Sequence, residues 1–279
     1  MRLVLPFFAL CLTLSACIKA KVARPGSTDR SVRVLVYNIH AGKDAKGVDN
    51  LARVASLVTS SGADIVLLQE VDQGTRRSGN VDQPAALARL TGFHVAFGSA
   101  LDFDGGKYGV ALLSRWPIVR DTLFHLPVTP MQERSGGSHE PRGALRALVA
   151  RPDGPLTIIN THLDASGNDH WRRQEADSIA SLVAQTLRAE QRVIVGGDFN
   201  STPESAVQMG LRRSGLRDSW AECASGDGFT YPDEAPVKRI DYLFLTGQVA
   251  CSSAQVIATR VSDHRPLLVH VTLPAVRAR

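Results

Sequence analysis

Gly196-Gly197-Asp198-Phe199-Asn200 follows the strand-like segment 192–195, whose Val193-Ile194-Val195 has the composition of a buried strand. Buried strands commonly end in turn residues with no special chemistry. This one ends in a carboxylate and a carboxamide, and the same happens elsewhere in the chain. Tyr37-Asn38-Ile39-His40 closes the strand-like 32–37, and Gln69-Glu70 closes 65–68. Asn160-Thr161-His162-Leu163-Asp164 closes 156–161, while Arg239-Ile240-Asp241-Tyr242 and Ser262-Asp263-His264 stand at 240–245 and before 267–273. A lone Asp after a strand is usually a turn former or a helix N-cap. Six polar endings in one chain are harder to set aside. If the strand ends converge, these groups share a pocket. Several carboxylates gathered there are unfavourable unless a cation or protons compensate. Oxygen ligands suit Mg2+, with Mn2+ or Ca2+ as alternatives. Zinc fits less well, because there is no close His/Cys cluster, although His40, His162 and His264 leave it open.

Around these endings the patterning reads as an α/β domain. The segment 50–61 carries Leu51, Val54, Ala55 and Val58 at helical spacing, with Gly62 as its stop. The segment 169–187 reads as an amphipathic helix, with Ile179, Leu182, Val183 and Leu187 on one side. A shorter helix is expected over 205–214. Further strands are expected over 109–113, 144–150 and 254–258. Strands do not alternate strictly with helices, so a Rossmann or barrel pattern fits poorly. Two sheets packed face to face, with helices outside, fit better. No internal repeat and no break in composition marks a second domain.

The ordered series Y-N-I-H, Q-E-V, N-T-H-L-D, G-G-D-F-N, R-I-D-Y and S-D-H-R-P resembles the endonuclease/exonuclease/phosphatase superfamily. The resemblance runs from about Val32 to about Leu273. It implies a DNase I-like fold: a four-layer α/β sandwich of two packed, mostly antiparallel sheets flanked by helices. It also implies a Mg2+-dependent hydrolase acting on phosphate esters by in-line attack of water.

The same resemblance assigns roles. Glu70 matches the main metal ligand, with Asn38 beside it and Asp263 near the ion or holding the site together. Asp198 matches the residue that orients or deprotonates the attacking water, and Asn200 the one that binds the phosphate. His264 matches a transition-state donor or acid held by Asp241, and His162 a phosphate-contacting residue. Arg142 matches a phosphate-binding Arg in some members; a surface Arg opening a strand is the equal alternative. His40 departs from the pattern, because some nucleases carry an acid there; it could bind a phosphate oxygen instead. Asp164 is read either as extending the pocket or as a turn residue, and Tyr108 as core.

The chain has 279 residues, 44% of them hydrophobic and 21% charged, which is ordinary for a globular domain and excludes wholesale disorder. The formal charge is +5, compatible with a phosphate-bearing substrate. Arg2, the apolar run 3–14 and Ser15-Ala16-Cys17 read as a secretory signal, too short for a comfortable membrane span. Leu14-Ser15-Ala16-Cys17 resembles a lipobox, with Cys17 as the acylated residue. The alternative is a plain signal peptide or an uncleaved anchor. The expected organisation is a signal over 1–17, a tether over 18–31 and the catalytic domain over 32–274. The expected address is the cell envelope, at the outer membrane facing periplasm or surface, with the lipid anchor as the membrane contact. Of the four cysteines, Cys223 and Cys251 remain as a candidate disulfide in an oxidising compartment, or as two separate thiols.

The substrate is less legible than the reaction. Residues 131–140 and 225–236 are the most loop-like insertions. Neither has the aromatic-plus-basic mix of a single-strand groove or the exposed aromatic cluster of a lipid-dipping loop. Trp116, Trp171 and Trp220 are scattered and read as packing residues. Three readings stand: an exported nuclease, a phosphodiesterase or phosphatase acting on a phospholipid or small molecule, and an inactive binding lipoprotein. No protein partner is inferred.

Overall fold

A computed structural model describes residues 30–130, 139–190 and 192–276. The expected signal, lipobox Cys17 and most of the tether lie outside the described residues, as does 131–138 of the first loop. Among the described residues no helix is long and apolar enough to cross a membrane.

The chain forms two six-stranded sheets. In the first, β1 (Ser31–Asn38) and β2 (Ile65–Gln73) are central and parallel, flanked by β12 (Leu267–Thr272), β11 (Ala250–Val256), β4 (Gly106–Ser114) and β3 (His94–Phe103). In the second, β7 (Leu156–His162) and β8 (Val193–Asp198) are central and parallel. Their flanks are β6 (Gly143–Val149), β5 (Ile118–His125), β10 (Asp241–Leu245) and the short β9 (Arg217–Asp218). All other pairings are antiparallel.

Each parallel pair requires a crossover, and in each case a helix supplies it. α1 (Leu51–Ser61) joins β1 to β2, and α3 (His170–Ala189) joins β7 to β8. Val54, Ala55 and Val58 of α1 pack on Leu35, Tyr37, Val66 and Leu68, the outer face of the first sheet. Ile179, Leu182 and Val183 of α3 pack on Ile159, Val193 and Val195 of the second, where α4 (Ala206–Arg213) joins them. Between the sheets lie Val34, Val36, Leu67, Leu112, Leu145, Ile158, Ile194, Leu243 and Val269. Strand residues alternate between these layers, as the pleat requires. Four layers result: helix, sheet, sheet, helix.

Several elements go beyond the sequence expectation. α2 (Gln83–Thr91) begins at Asp82, whose side chain accepts from the Ala85 N–H, and stops at Gly92 with φ 73°. β3 and β5 lie at sheet edges, where an irregular apolar pattern is enough because only one neighbour is paired. β11 starts at Ala250 rather than 254, because its largely exposed residues are held by pairing to β12 and not by burial. β2 continues past Glu70 to Gln73 through a bulge, where its pairing with β4 shifts between Leu68 and Val71. A short helix, α5 (Ser219–Cys223), precedes a disulfide between Cys223 and Cys251, whose Cα atoms are 5.8 Å apart.

Candidate active site

The topology gathers the polar endings. Asn38 is paired with Gln69, and His162 with Asp198, so two parallel pairs end together. β10 runs antiparallel to β8 and opens with Asp241 opposite Asp198. β12 runs antiparallel to β1, so the 261–266 segment before it lies at the same end. The carboxyl ends of central parallel strands are the usual place for a site in an open α/β sheet.

Asp198 is the centre of the assembly. It is buried, and its Oδ2 accepts from Asn38 Nδ2 at 3.0 Å. His162 Nε2 lies 3.6 Å and His264 Nε2 3.7 Å from the same oxygen. Its Oδ1 accepts from the Asn200 N–H at 2.9 Å. Gly197 sets this geometry: its φ is 147°, and a Cβ there would fall 1.9 Å from the Thr161 carbonyl oxygen. Asn200 takes φ 45°, which a short amide side chain tolerates. Its Nδ2 donates to the Leu163 carbonyl at 3.0 Å and lies 3.1 Å from His162 Nε2.

His264 Nδ1 is 2.8 Å from Asp241 Oδ2, a hydrogen bond that holds the ring. Burial opposes charge on this imidazole. The Asp241 charge and hydrogen bond, with Asp198 and Asp263, outweigh burial and push its pKa up to about 10. Burial raises the Asp198 carboxyl to about 7, and the neighbouring Asp241 charge adds to the rise. His162 moves the other way: burial, then the charges of Arg142 and His264, hold it well below the usual histidine range.

Glu70 is half-buried on the β2 bulge with φ 55°, which aims its carboxylate into the site. Its Oε1 accepts from Asn38 Nδ2 at 2.9 Å, so one amide bridges Glu70 and Asp198. Asn38 Oδ1 accepts from the His40 N–H at 3.1 Å. Asp263 Oδ1 takes the Ser262 hydroxyl at 3.1 Å and lies 3.9 Å from His40 Nδ1. His40 stands at the rim, its side chain 37% exposed.

Two groups bear on a cation. Glu70 and Asp263 offer carboxylate oxygens, the donors a hard divalent ion takes, and Asn38 adds an amide oxygen that here accepts from the His40 N–H. Asp198, Asp241 and His264 also bring ligand atoms within 4.8 Å of one another. In the metal-free protein the atoms of this second group are engaged in hydrogen bonds, His264 Nδ1 with Asp241 and Asp198 Oδ2 with Asn38.

One residue differs from its expected role, and another takes the second of its two readings. Arg142 was expected on a substrate phosphate or at the surface, but it is 3% exposed. Its Nη1 lies 2.7 Å from His162 Nδ1 and 2.8 Å from the buried Glu140 carboxylate, which turns it toward the protein. Asp164 shapes a turn: it accepts from the His139 and Ser166 N–H groups, while the buried Glu175 accepts from its own.

Two further residues escaped the sequence reading. Glu140 had one available signal, an acid two places before an Arg at a strand start. Tyr231, whose ring packs 4.9 Å from His264, is a single aromatic in a Pro-rich loop, and no sequence pattern distinguishes it. Tyr108 is buried core beside Glu70 and Arg77. Trp116 and Trp220 pack against the inter-sheet core.

The comparisons agree with this fold. A relative called YbhP from Escherichia coli K12 is 25% identical over 256 residues, covering 87% of this chain and 97% of its own. An endonuclease/exonuclease/phosphatase structure from Beutenbergia cavernae aligns with TM-score 0.73 at 23% identity, over 88% of this chain and 72% of that one. A mannosyl-6-phosphatase from Bacteroides thetaiotaomicron aligns with TM-score 0.73 at 19% identity, over 87% of this chain and 100% of that one. Residues 35–264 match the model of the Endonuclease/Exonuclease/phosphatase family, and the chain belongs to that family.

Proposed function

We propose that this chain is a Mg2+-dependent phosphodiesterase, exported to the cell envelope on a lipid anchor at Cys17, that cleaves nucleic acid outside the cytoplasm. The coarser statement, a hydrolase of phosphate esters, follows from the family. The observation that carries the reading is the convergence of Asn38, His162 and His264 on one buried Asp198 oxygen. A binding module has no need of a carboxylate raised toward neutrality beside an imidazole held cationic.

Glu70, Asn38 and Asp263 would hold the divalent cation. Bound there, it would polarise a phosphoryl oxygen and stabilise the leaving oxygen. Asp198 accepts the proton of the attacking water, a task suited to a base with pKa near neutrality. Asn38 and the Asn200 N–H fix that carboxylate's orientation. His264, held by Asp241, donates to charge developing on phosphorus oxygens. His40 stands at the rim, within reach of a further phosphate oxygen.

A second reading, a small phosphate ester as substrate, draws on the mannosyl-6-phosphatase among the structures of similar fold. Hydrolysis of bis(p-nitrophenyl) phosphate with and without Mg2+ tests the reaction class. A panel of plasmid DNA, RNA, sphingomyelin, phosphatidylinositol and sugar phosphates tests the substrate. Turnover of a lipid or sugar phosphate with none of DNA or RNA would overturn the nuclease reading.

A further inference from the structure

We propose that Arg142 is a positioning residue. Its guanidinium fixes His162 as a neutral ring with the proton on Nε2, so that this nitrogen serves as a hydrogen-bond donor to an anionic oxygen in the site. The inference rests on the phosphoesterase reading above and adds a residue that acts through another.

The argument is one of donors and acceptors. A guanidinium carries five N–H groups and no acceptor. Its Nη1 lies 2.7 Å from His162 Nδ1, so Nδ1 must present its lone pair. A neutral imidazole then carries its single proton on Nε2. A doubly protonated ring would set an N–H against the guanidinium. The charged groups around the ring act in the same sense. Arg142 and His264 repel a cation there, burial disfavours it, and the Asp198 carboxylate at 3.6 Å faces Nε2.

This assignment changes the meaning of the neighbouring contact. Asn200 Nδ2 is fixed as the donor end of its amide by the Leu163 carbonyl at 3.0 Å. It lies 3.1 Å from His162 Nε2, which is also a donor. Two donors cannot bond to each other. The Nε2–H is therefore left unsatisfied by Asn200 and is available to an oxygen acceptor, either the Asp198 carboxylate 3.6 Å away or a phosphoryl oxygen of a bound substrate. Glu140 explains why Arg142 is needed. Its buried carboxylate lies 2.8 Å from Arg142 Nη1. With Arg142 gone, that carboxylate would draw the ring proton to Nδ1. Nε2 would then accept from Asn200 and would no longer be a donor for an anionic oxygen.

The test reads the tautomer directly. Long-range 1H–15N correlation spectra of 15N-histidine-labelled protein, with His162 identified by its loss in His162→Gln, report which ring nitrogen is protonated. The expected pattern is Nδ1 bare and Nε2 protonated from mildly acidic to mildly alkaline pH. Inorganic phosphate should shift the Nε2 signal without changing the tautomer. In Arg142→Met the proton should move to Nδ1 or the ring should become cationic. Its kcat for bis(p-nitrophenyl) phosphate should fall roughly 10- to 100-fold with KM little changed, a loss of the size caused by removing an orienting partner. Arg142→Lys, which keeps a donor, should restore part of both readouts. An Nδ1-protonated or cationic His162 in the wild-type protein overturns the proposal, as does an unmoved tautomer in Arg142→Met. If Arg142→Met does not fold, the wild-type spectrum decides alone. Absence of hydrolysis by wild-type protein counts against the phosphoesterase reading, while the spectrum still decides the tautomer.

Discussion

Asn160 of β7 reaches across the gap between the sheets to Gln69 of β2, whose Nε2 donates to its Oδ1 at 2.7 Å. Its own Nδ2 donates to the Leu68 and Ala111 carbonyls, both at 2.9 Å. These carbonyls stand at the bulge that aims Glu70. One buried amide thus ties the half of the site carried by the first sheet to the half carried by the second. Asn160→Leu keeps the branched outline of the side chain but strands two carbonyls and an amide donor. It should lower unfolding free energy by about 2–5 kcal/mol, read as a shifted urea midpoint at constant slope. A shift under about 0.5 kcal/mol, the size of an ordinary surface change, would refute the tie.

Gly197 is the backbone counterpart of that tie. A methyl group there would sit 1.9 Å from the Thr161 carbonyl, at a φ of 147° that L-residues rarely adopt. β7 and β8 would have to separate where His162 and Asp198 meet. Gly197→Ala should therefore destabilise by about 3 kcal/mol or more and abolish hydrolysis. A folded, active Gly197→Ala protein would contradict the register.

Asp198, Asn200 and His264 should each behave as a group needed in the transition state. Alanine at any one should lower kcat roughly 100- to 1000-fold, the size of one lost oxyanion donor. Chelation with EDTA should abolish turnover, and Mg2+ should restore it. Near-native turnover by purified Asp198→Ala protein would remove the assignment.

Asp241 raises two pKa values at once, and the signs can be followed in metal-free protein. His264 is pushed up to about 10. A folded pKa above the unfolded one gives stability fully present below about 6.5 and lost as pH rises through about 10. Burial, then Asp241, raises Asp198 to about 7. The folded state therefore holds that proton more tightly, and stability falls as pH rises from about 4 to about 7. Both slopes run the same way. Asp241→Asn removes the shared charge, so the wild-type-minus-variant difference in unfolding free energy should shrink as pH rises across both windows. The His264 ring signals should titrate at lower pH in the variant. A ring titration unchanged by Asp241→Asn would defeat the pairing.

The sequence revealed the site better than the edges of the sheets, for a physical reason. Buried central strands such as 65–68 and 193–195 must be apolar on both faces, so they stand out. Their polar endings stand out against that background. Edge strands answer to one neighbour only. His94–Phe103 is interrupted by Gly98 and a register shift at Ser99, and Ile118–His125 is mostly exposed, so neither carries a clean alternation. The site residues that lay hidden, Glu140 and Tyr231, act through partners distant in sequence, and their types have many ordinary uses. The direction of the Arg142 side chain was equally illegible, because it depends on the buried Glu140 carboxylate.

The disulfide joins the chemistry of the fold to the proposed address. Cys223 closes α5 and Cys251 lies on edge strand β11, so the bridge staples the edge of the first sheet to the segment that leads into the active-site loop 225–236. The bridged residues are 28 apart, a loop whose closure entropy corresponds to about 3–4 kcal/mol. Protein taken from an oxidising compartment should show no free thiol at these positions on labelling after denaturation. Reduction, or Cys223→Ser with Cys251→Ser, should lower the unfolding midpoint without a comparable loss of kcat, because neither sulfur touches the Asp198 assembly. Two labelled thiols in the native protein would remove the bridge.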